Sequence, residues 1–335
     1  SSGLFSGYIH DDNPDYEKMK AKGSVLCDFD LDGDLDLYYG YINSYYFENT
    51  GTAFKDRTME YNIDNSGCRG IVVGDMDNNG YPDILKWRFM SEAQPDHDCA
   101  EYDYETVCTD DTNCYWEENN CWNGSDAEMM PHNILMNDGN STFITHNFLP
   151  ENELNFLHSL GLLDADLDGD LDLVAIQEED DDQFMLYLNK GFDDTGDPIF
   201  EQVYTFYRSY GDISASRIIA ISDYDNDGDQ DVYVGRKYGY NWFFENQTLT
   251  GSPGNVTYHS NPEPFFIEKA SELGIADPEA NEIGSMGYGA AWGDYDNDQD
   301  FDLYLANWGV NRLYNNDNNT FINIADIQYV ESEEL

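Results

Sequence analysis

The stretch Asp28-Phe29-Asp30-Leu31-Asp32-Gly33-Asp34-Leu35-Asp36 recurs four more times along the chain, at 75–83, 164–172, 223–231 and 294–302. When the phrase is numbered 1 to 9, positions 1, 3 and 9 are aspartate in every copy. Position 5 is aspartate except for Asn79, and position 6 is glycine except for Gln299. The residue after position 9 is always aliphatic: Leu37, Ile84, Leu173, Val232 and Leu303. The flanks repeat as well. A short apolar segment precedes each copy (24–27, 70–73, 161–163, 218–221, 289–292) and a β-rich segment follows it. A third segment ends at Asn49, Asn137, Asn189, Asn246 and Asn315, and a fourth is built around Phe54, Phe143, Phe200, Phe266 and Phe321. Short runs of alternating, β-branched and aromatic residues bounded by Gly, Asn and Asp read as strands. Each repeat therefore predicts four strands, with the acidic phrase joining the first two. One helical turn is expected at 268–273. From the first aspartate of each phrase to its closing asparagine the spacing is 21, 62, 25, 23 and 21 residues. The second repeat thus carries an insertion, over about 91–131, between its second and third strands.

Alternate side chains of an extended segment share a face, and a tight turn at position 6 folds position 9 back toward position 1. Oxygen ligands then converge on one point. The candidate ligands are Asp28, Asp30, Asp32, Asp34 and Asp36; Asp75, Asp77, Asn79, Tyr81 and Asp83; Asp164, Asp166, Asp168, Asp170 and Asp172; Asp223, Asp225, Asp227, Asp229 and Asp231; and Asp294, Asp296, Asp298, Asp300 and Asp302. Position 7 (Asp34, Tyr81, Asp170, Asp229, Asp300) would contribute its backbone carbonyl. An oxygen-only set without His or Cys suits a hard cation, and Ca²⁺ fits its size and coordination number better than Mg²⁺. About five Ca²⁺ sites are expected. The EF-hand begins with the same pattern but needs a bidentate Glu at position 12 and flanking helices. Here position 12 is Tyr39, Lys86, Ala175, Val234 and Leu305, so that motif is rejected. A single copy could be a solvated Asx turn; five identically spaced copies with matching flanks argue for metal. The second and fifth copies are the weakest, because Asn79 replaces a carboxylate and Gln299 must take a turn that Gly takes at about 1 kcal/mol less.

These residues resemble the calcium-loop repeats of the VCBS and FG-GAP families, as in integrin α-subunit heads and cartilage acidic protein-like secreted proteins. The nearest phrases are Gly289-Ala290-Ala291-Trp292-Gly293-Asp294-Tyr295-Asp296-Asn297-Asp298, Asp302-Leu303-Tyr304-Leu305-Ala306-Asn307 and Leu186-Tyr187-Leu188-Asn189. The literal Phe-Gly…Gly-Ala-Pro signature is absent, so the VCBS-type label fits better than the integrin one. The resemblance implies an all-β fold, a β-propeller in which each repeat is one four-stranded antiparallel blade holding a Ca²⁺. It also implies ligands at the opposite face or in insertions. Five repeats are recognisable, whereas such propellers usually have seven blades, so the chain could be part of a larger ring. The expected organisation is a propeller over 23–330, a segment 1–22 that could close the ring with a strand, and a disulfide-rich insertion over 91–131. The candidate closing strands are 4–9 and 321–330.

The composition narrows the partners. The chain has 335 residues, with 68 Asp and Glu against 15 Lys and Arg, a formal charge of −53. A surface of that sign repels nucleic acid and anionic membranes. Disorder is argued against by 15% aromatic residues, and no apolar run is long enough to span a bilayer. The start at Ser1-Ser2-Gly3 reads as a processed end. Cys99, Cys108, Cys114 and Cys121 fall in a polar stretch where disulfides would substitute for a core, which implies an oxidising compartment. If they pair among themselves, Cys27 is left with Cys68. Sequons at Asn123, Asn140, Asn246, Asn255 and Asn318 offer N-glycan sites.

The expected function is an extracellular binding or adhesion module for a protein or glycan, without chemistry of its own. No nucleophile elbow, zinc-protease motif or phosphate loop is present, and the six histidines are scattered. The alternatives are a self-associating subunit of a surface layer, sheath or filament, and a polysaccharide-active enzyme built on a carboxylate pair. The insertion's Tyr102, Tyr104, Tyr115, Trp116 and Trp122 would be a contact surface or a small local core.

Overall fold

The computed structural model describes residues 23–40, 43–64, 68, 70–87, 114–117, 120–123, 132–140, 142–147, 157–178, 182–208, 216–236, 239–277 and 285–324. They form five four-stranded antiparallel sheets, the blades of a β-propeller. Blade one is β1 (Gly23–Cys27), β2 (Asp36–Gly40), β3 (Ser44–Asn49) and β4 (Phe54–Asp56). Blade two is β5 (Gly70–Gly74), β6 (Asp83–Trp87), β9 (Asn133–Asn137) and β10 (Phe143–Asn147), with a separate hairpin of β7 (Cys114–Glu117) and β8 (Asn120–Asn123) between its second and third strands. Blade three is β11 (Leu157–Leu163), β12 (Asp172–Glu178), β13 (Asp182–Phe192) and β14 (Pro198–Arg208). Blade four is β15 (Ser216–Ser222), β16 (Asp231–Arg236), β17 (Trp242–Asn246) and β20 (Phe266–Glu268). Its last two strands are separated by a hairpin of β18 (Leu249–Ser252) and β19 (Asn255–Tyr258), and one turn of helix, α1 (Ala270–Leu273), follows β20. Blade five is β21 (Ser285–Gly293), β22 (Asp302–Gly309), β23 (Arg312–Asn316) and β24 (Phe321–Asn323).

The blades meet in chain order through their first strands, and the core lies in the seams between them. Alternation along each first strand sends successive side chains to opposite seams. Val25 and Cys27 pack against Ile71 and Val73, Val72 against Leu162, Leu163 against Ile219 and Ile221, and Ala220 against Ala290 and Trp292. In blades two, three and four the second and third strands are covered on both faces, which is why they read as apolar and aromatic runs such as Ile84-Leu85 and Trp242-Phe243-Phe244. The seam between blades three and four is rich in aromatic rings. Phe184 stacks on Phe244 at 4.0 Å and meets Phe266 edge-on at 5.5 Å.

Several sequence expectations change. The third strand of blade five ends at Asn316, not Asn315: Asn316 pairs with Phe321 as Asn49 pairs with Phe54 and Asn246 with Phe266. The segment 321–323 is the fourth strand of its own blade and so does not complete another, while 4–9 and 325–330 lie outside the described residues. No disulfide joins Cys27 to Cys68. Cys27 pairs with Asp36 at one end of β1–β2, whereas the Cys68 sulfur lies 2.5 Å from where a Cβ on Gly40 would be, at the other end. Four residues of strand span about 13 Å, twice what a disulfide bridges. The hairpin over 249–258 is not apparent in the sequence, since its short polar strands lack an apolar face.

Truncating Phe184 to alanine removes a ring with no solvent exposure from this seam and should cost about 3–5 kcal/mol in urea unfolding. A loss below about 1 kcal/mol would show that the seam is not the core described here.

Candidate metal centre

Each acidic phrase is a tight loop between the first and second strands, and its backbone is wound around its own carboxylates. The position 1 carboxylate accepts two successive amides. Asp28 Oδ1 and Oδ2 take Asp32 N–H and Gly33 N–H, both at 3.0 Å, and Asp75, Asp223 and Asp294 repeat the arrangement. The position 5 side chain accepts the position 7 amide in all five loops. Such a winding needs two left-handed residues. Position 6 is one, from φ 107° at Gly228 to 82° at Gln299. Position 4 is the other: Leu31, Asn78, Leu167, Asn226 and Asn297 lie between 56° and 64°. Sequence reasoning identifies the first and misses the second, although asparagine at three of the five copies is a usable signal.

Position 9 anchors the loop to the blade. Asp36, Asp83, Asp172, Asp231 and Asp302 open the second strand and are at most 1% exposed. One oxygen accepts the position 2 amide, as from Met76 and Ala165 at 2.8 Å. The other accepts the amide at the end of the third strand: Asn49 and Asn137 at 2.7 Å, Asn189 and Asn316 at 2.8 Å, Asn246 at 2.9 Å.

The carboxylates converge as triads whose ligand oxygens lie within 4.8 Å of one another. In four loops the triad is positions 1, 3 and 9: Asp75, Asp77 and Asp83; Asp164, Asp166 and Asp172; Asp223, Asp225 and Asp231; Asp294, Asp296 and Asp302. In the first loop it is Asp28, Asp30 and Asp32. There the Tyr46 hydroxyl donates to Asp36 at 2.8 Å and occupies one of its oxygens. The same place in the other third strands holds Ile134, Leu186, Phe243 and Leu313. The expected ligands Asp168, Asp227 and Asp298 turn one oxygen to the position 7 amide and fall outside the triads. The Asn79 side chain donates to Asp77 and to the Asn137 carbonyl. Position 7 side chains point to other partners: Asp229 accepts from Leu249 N–H and Asp300 from Asn318 N–H.

The electrostatics of the triads call for a cation. Among the described residues no lysine or arginine forms an ion pair with a loop aspartate. Burial pushes Asp83, Asp172 and Asp225 up to about 7 and Asp229 to about 9, with neighbouring carboxylates adding to it. Burial also raises Asp231 well above the usual range. Asp164 Oδ1 and Asp166 Oδ1 are buried without a hydrogen-bond partner. Buried, mutually repelling carboxylate oxygens are the donor set of a hard divalent ion and are costly without one. The triads can therefore hold metal ions.

Adjacent loops are tied together by asparagines. Asn137 reaches back to the Phe29 carbonyl at 2.8 Å, Asn246 to Ala165 at 3.0 Å and Asn316 to Tyr224 at 2.9 Å. In the forward direction Asn78 donates to Asp170 at 2.7 Å and Asn226 to Asp300 at 3.3 Å. The β18–β19 hairpin leans on the third loop through Tyr258 Oη, which donates to the Asp166 carbonyl. These ties have a consequence for the sequons. Asn246 is buried and committed to Ala165, so it cannot carry a glycan in the folded protein, whereas Asn140, Asn255 and Asn318 are exposed. The Asn123 side chain lies outside the described residues.

Two outcomes test this geometry. Gln299→Gly relieves a left-handed glutamine and should stabilise the protein by up to about 1 kcal/mol; destabilisation would contradict the turn. The second concerns pH. Asp83 and Asp172 have folded pKa values above their unfolded ones, so the metal-free fold binds more protons than the unfolded chain. Its stability should fall as pH rises from about 4 to 7, by at most roughly 4 kcal/mol per site. Melting in EDTA should therefore occur at a higher temperature near pH 5.5 than near 7.5. With metal present the order should reverse, because protons displace the ion.

Residues 28–85 and 164–234 match the FG-GAP-like repeat family. The first match runs from the first loop into the second strand of blade two, and the second from the third loop into the second strand of blade four. No curated protein matches the chain. With five similar blades, each carrying the same acidic loop, the match supports a β-propeller of the FG-GAP type.

Proposed function

We propose that this propeller is an extracellular, calcium-stabilised binding module that presents a rigid blade surface to a protein or glycan partner. The observation that carries the reading is the recurrence of an aspartate triad in the same loop of all five blades, with one buried member in four of them. Five dications there would bring the formal charge from −53 to −43 and neutralise the loops where like charges are closest. Ca²⁺ suits such a set because it accepts many oxygen ligands in irregular geometry. The cysteine-rich insertion and the exposed sequons support an oxidising, extracellular setting.

In this reading the ions do no chemistry. They hold the loops that link neighbouring blades, and so keep the whole surface in one conformation. Pre-organisation of that kind lowers the ordering cost of binding.

Calorimetric titration of the EDTA-stripped protein should show about five Ca²⁺ bound per chain. Each site held at 100-fold its Kd contributes about 2.7 kcal/mol, so the melting temperature should rise steeply with calcium. An unchanged melting temperature would rule out the metal assignment. The partner reading is checked on glycan arrays and immobilised extracellular-matrix proteins, with and without EDTA. Calcium-dependent retention is expected; retention indifferent to EDTA, or none on either class, would overturn it.

A further inference from the structure

Asparagines at five described positions fold their side chains forward over the next peptide bond, each accepting the amide two residues on: Asn49 from Gly51, Asn79 from Tyr81, Asn137 from Gly139, Asn189 from Gly191 and Asn246 from Thr248. Such an Asx turn sets the side-chain carbonyl beside the following backbone nitrogen. Four of the five are followed by Thr50, Asp138, Lys190 and Gln247, whose Cβ atoms crowd that nitrogen. Asn79 alone is followed by glycine, Gly80, which has no Cβ and the widest conformational range. Both residues are exposed, and a Cβ on Gly80 would meet nothing within 4 Å, so water reaches the pair.

The neighbours of Asn79 suit an attack of the Gly80 nitrogen on its side-chain carbonyl carbon. The Tyr81 N–H donates to Asn79 Oδ1 at 2.8 Å, the atom on which negative charge develops when that carbon is attacked. The Gly80 N–H donates to Asp75 Oδ2 at 2.8 Å, which puts a proton acceptor within hydrogen-bond reach. The N–H bond lies in the peptide plane, whereas the nitrogen attacks perpendicular to it, so acceptor and carbonyl do not compete for one direction. Asn79 Nδ2, the group that would leave, donates to Asp77 Oδ2 at 3.1 Å and to the Asn137 carbonyl at 2.8 Å.

We propose that Asn79 is a site of spontaneous deamidation in the folded protein, which gives the second loop the position 5 carboxylate that Asp32, Asp168, Asp227 and Asp298 supply in the others. A bond forms between Gly80 N and Asn79 Cγ, and the Cγ–Nδ2 bond breaks. The Gly80 proton passes by way of Asp75 to the departing nitrogen, and ammonia leaves. Water then opens the cyclic imide: at Cγ it gives aspartate, at the backbone carbonyl isoaspartate. No oxidant or reductant takes part. The product sets a carboxylate oxygen where Nδ2 had donated to Asp77 and to the Asn137 carbonyl, and so adds repulsion to a chain already at −53. The metal-free second loop is weakened, and its demand for a cation grows. The conversion itself does not rest on the calcium reading above. Its slowing by calcium does, because a cation would draw on the Asp75 and Asp77 carboxylates and fix the loop backbone.

Peptide mapping by mass spectrometry tests it on the full chain, aged in EDTA at neutral pH and well below its melting temperature. The exchange of an amide for an acid is assigned residue by residue, so that Asn79 is read apart from the chain's other Asn-Gly pair, Asn123-Gly124. Conversion at Asn79 should be far advanced before any is detected at Asn49, Asn137, Asn189 or Asn246. Ageing in calcium should slow it at least about tenfold. The variant Asn79→Asp carries the aspartate product from the start and should melt below the fresh wild type in EDTA. An Asn79 that stays amidated overturns the proposal, as does conversion that begins only when the chain is heated through unfolding, or equal conversion at all five asparagines. Asn79→Asp melting at or above the wild type would remove the proposed effect on the loop. The calcium-induced rise in melting temperature is read on the same samples. Conversion in EDTA without that rise would sink the calcium reading and leave the deamidation standing.

Discussion

A carboxylate buried at the first residue of each second strand has to be satisfied in place, and the rest of the blade is arranged around that need. Asp83 shows how. One oxygen holds the Met76 amide, which fixes where the loop leaves the first strand, and the other holds the Asn137 amide, which fixes where the third strand ends. The same residue is the buried member of the metal triad. Fold and site therefore share one atom group. Replacing it would unpin three strands as well as remove a ligand, which explains why aspartate stands at this position in all five copies although a buried charge is costly.

From that anchor the order spreads sideways. In blades two, four and five the asparagine whose amide binds position 9 also donates its side chain to the preceding blade, as Asn137 does to Phe29 and Asn316 to Tyr224. Each such tie links a loop to the seam beside it, and apolar contacts such as Phe184 on Phe244 pack across the same seams. Several of the described cations have partners away from the loops. Lys86 is paired with Asp64, Arg236 lies over Trp242 and Arg312 beside Asp277, all toward the far ends of their strands.

Much of this architecture is legible in the amino-acid sequence. The period-2 runs around a nine-residue acidic phrase mark four strands per repeat, five repeats and the position of each loop, because alternation and turn chemistry are local properties of the chain. Gln299 is recognisable as a strained turn for the same reason. Other features are hidden. The closing asparagine of blade five is Asn316, and Asn315 beside it looks identical in sequence; only pairing with Phe321 selects between them. The first triad differs from the others because a tyrosine ten residues away, Tyr46, reaches Asp36. The sequon at Asn246 looks like any other, yet its side chain is buried against blade three.

The sequence by itself determined the blade, its loop and the oxygen-only set of side chains in it, since all three depend on residues close together in the chain. Tertiary structure decided which carboxylates converge and which asparagines join one blade to the next. Those outcomes depend on contacts between residues far apart in the chain, such as Asn226 with Asp300 and Asn137 with Phe29. Such contacts exist only once the strands have packed, so no local pattern in the chain records them.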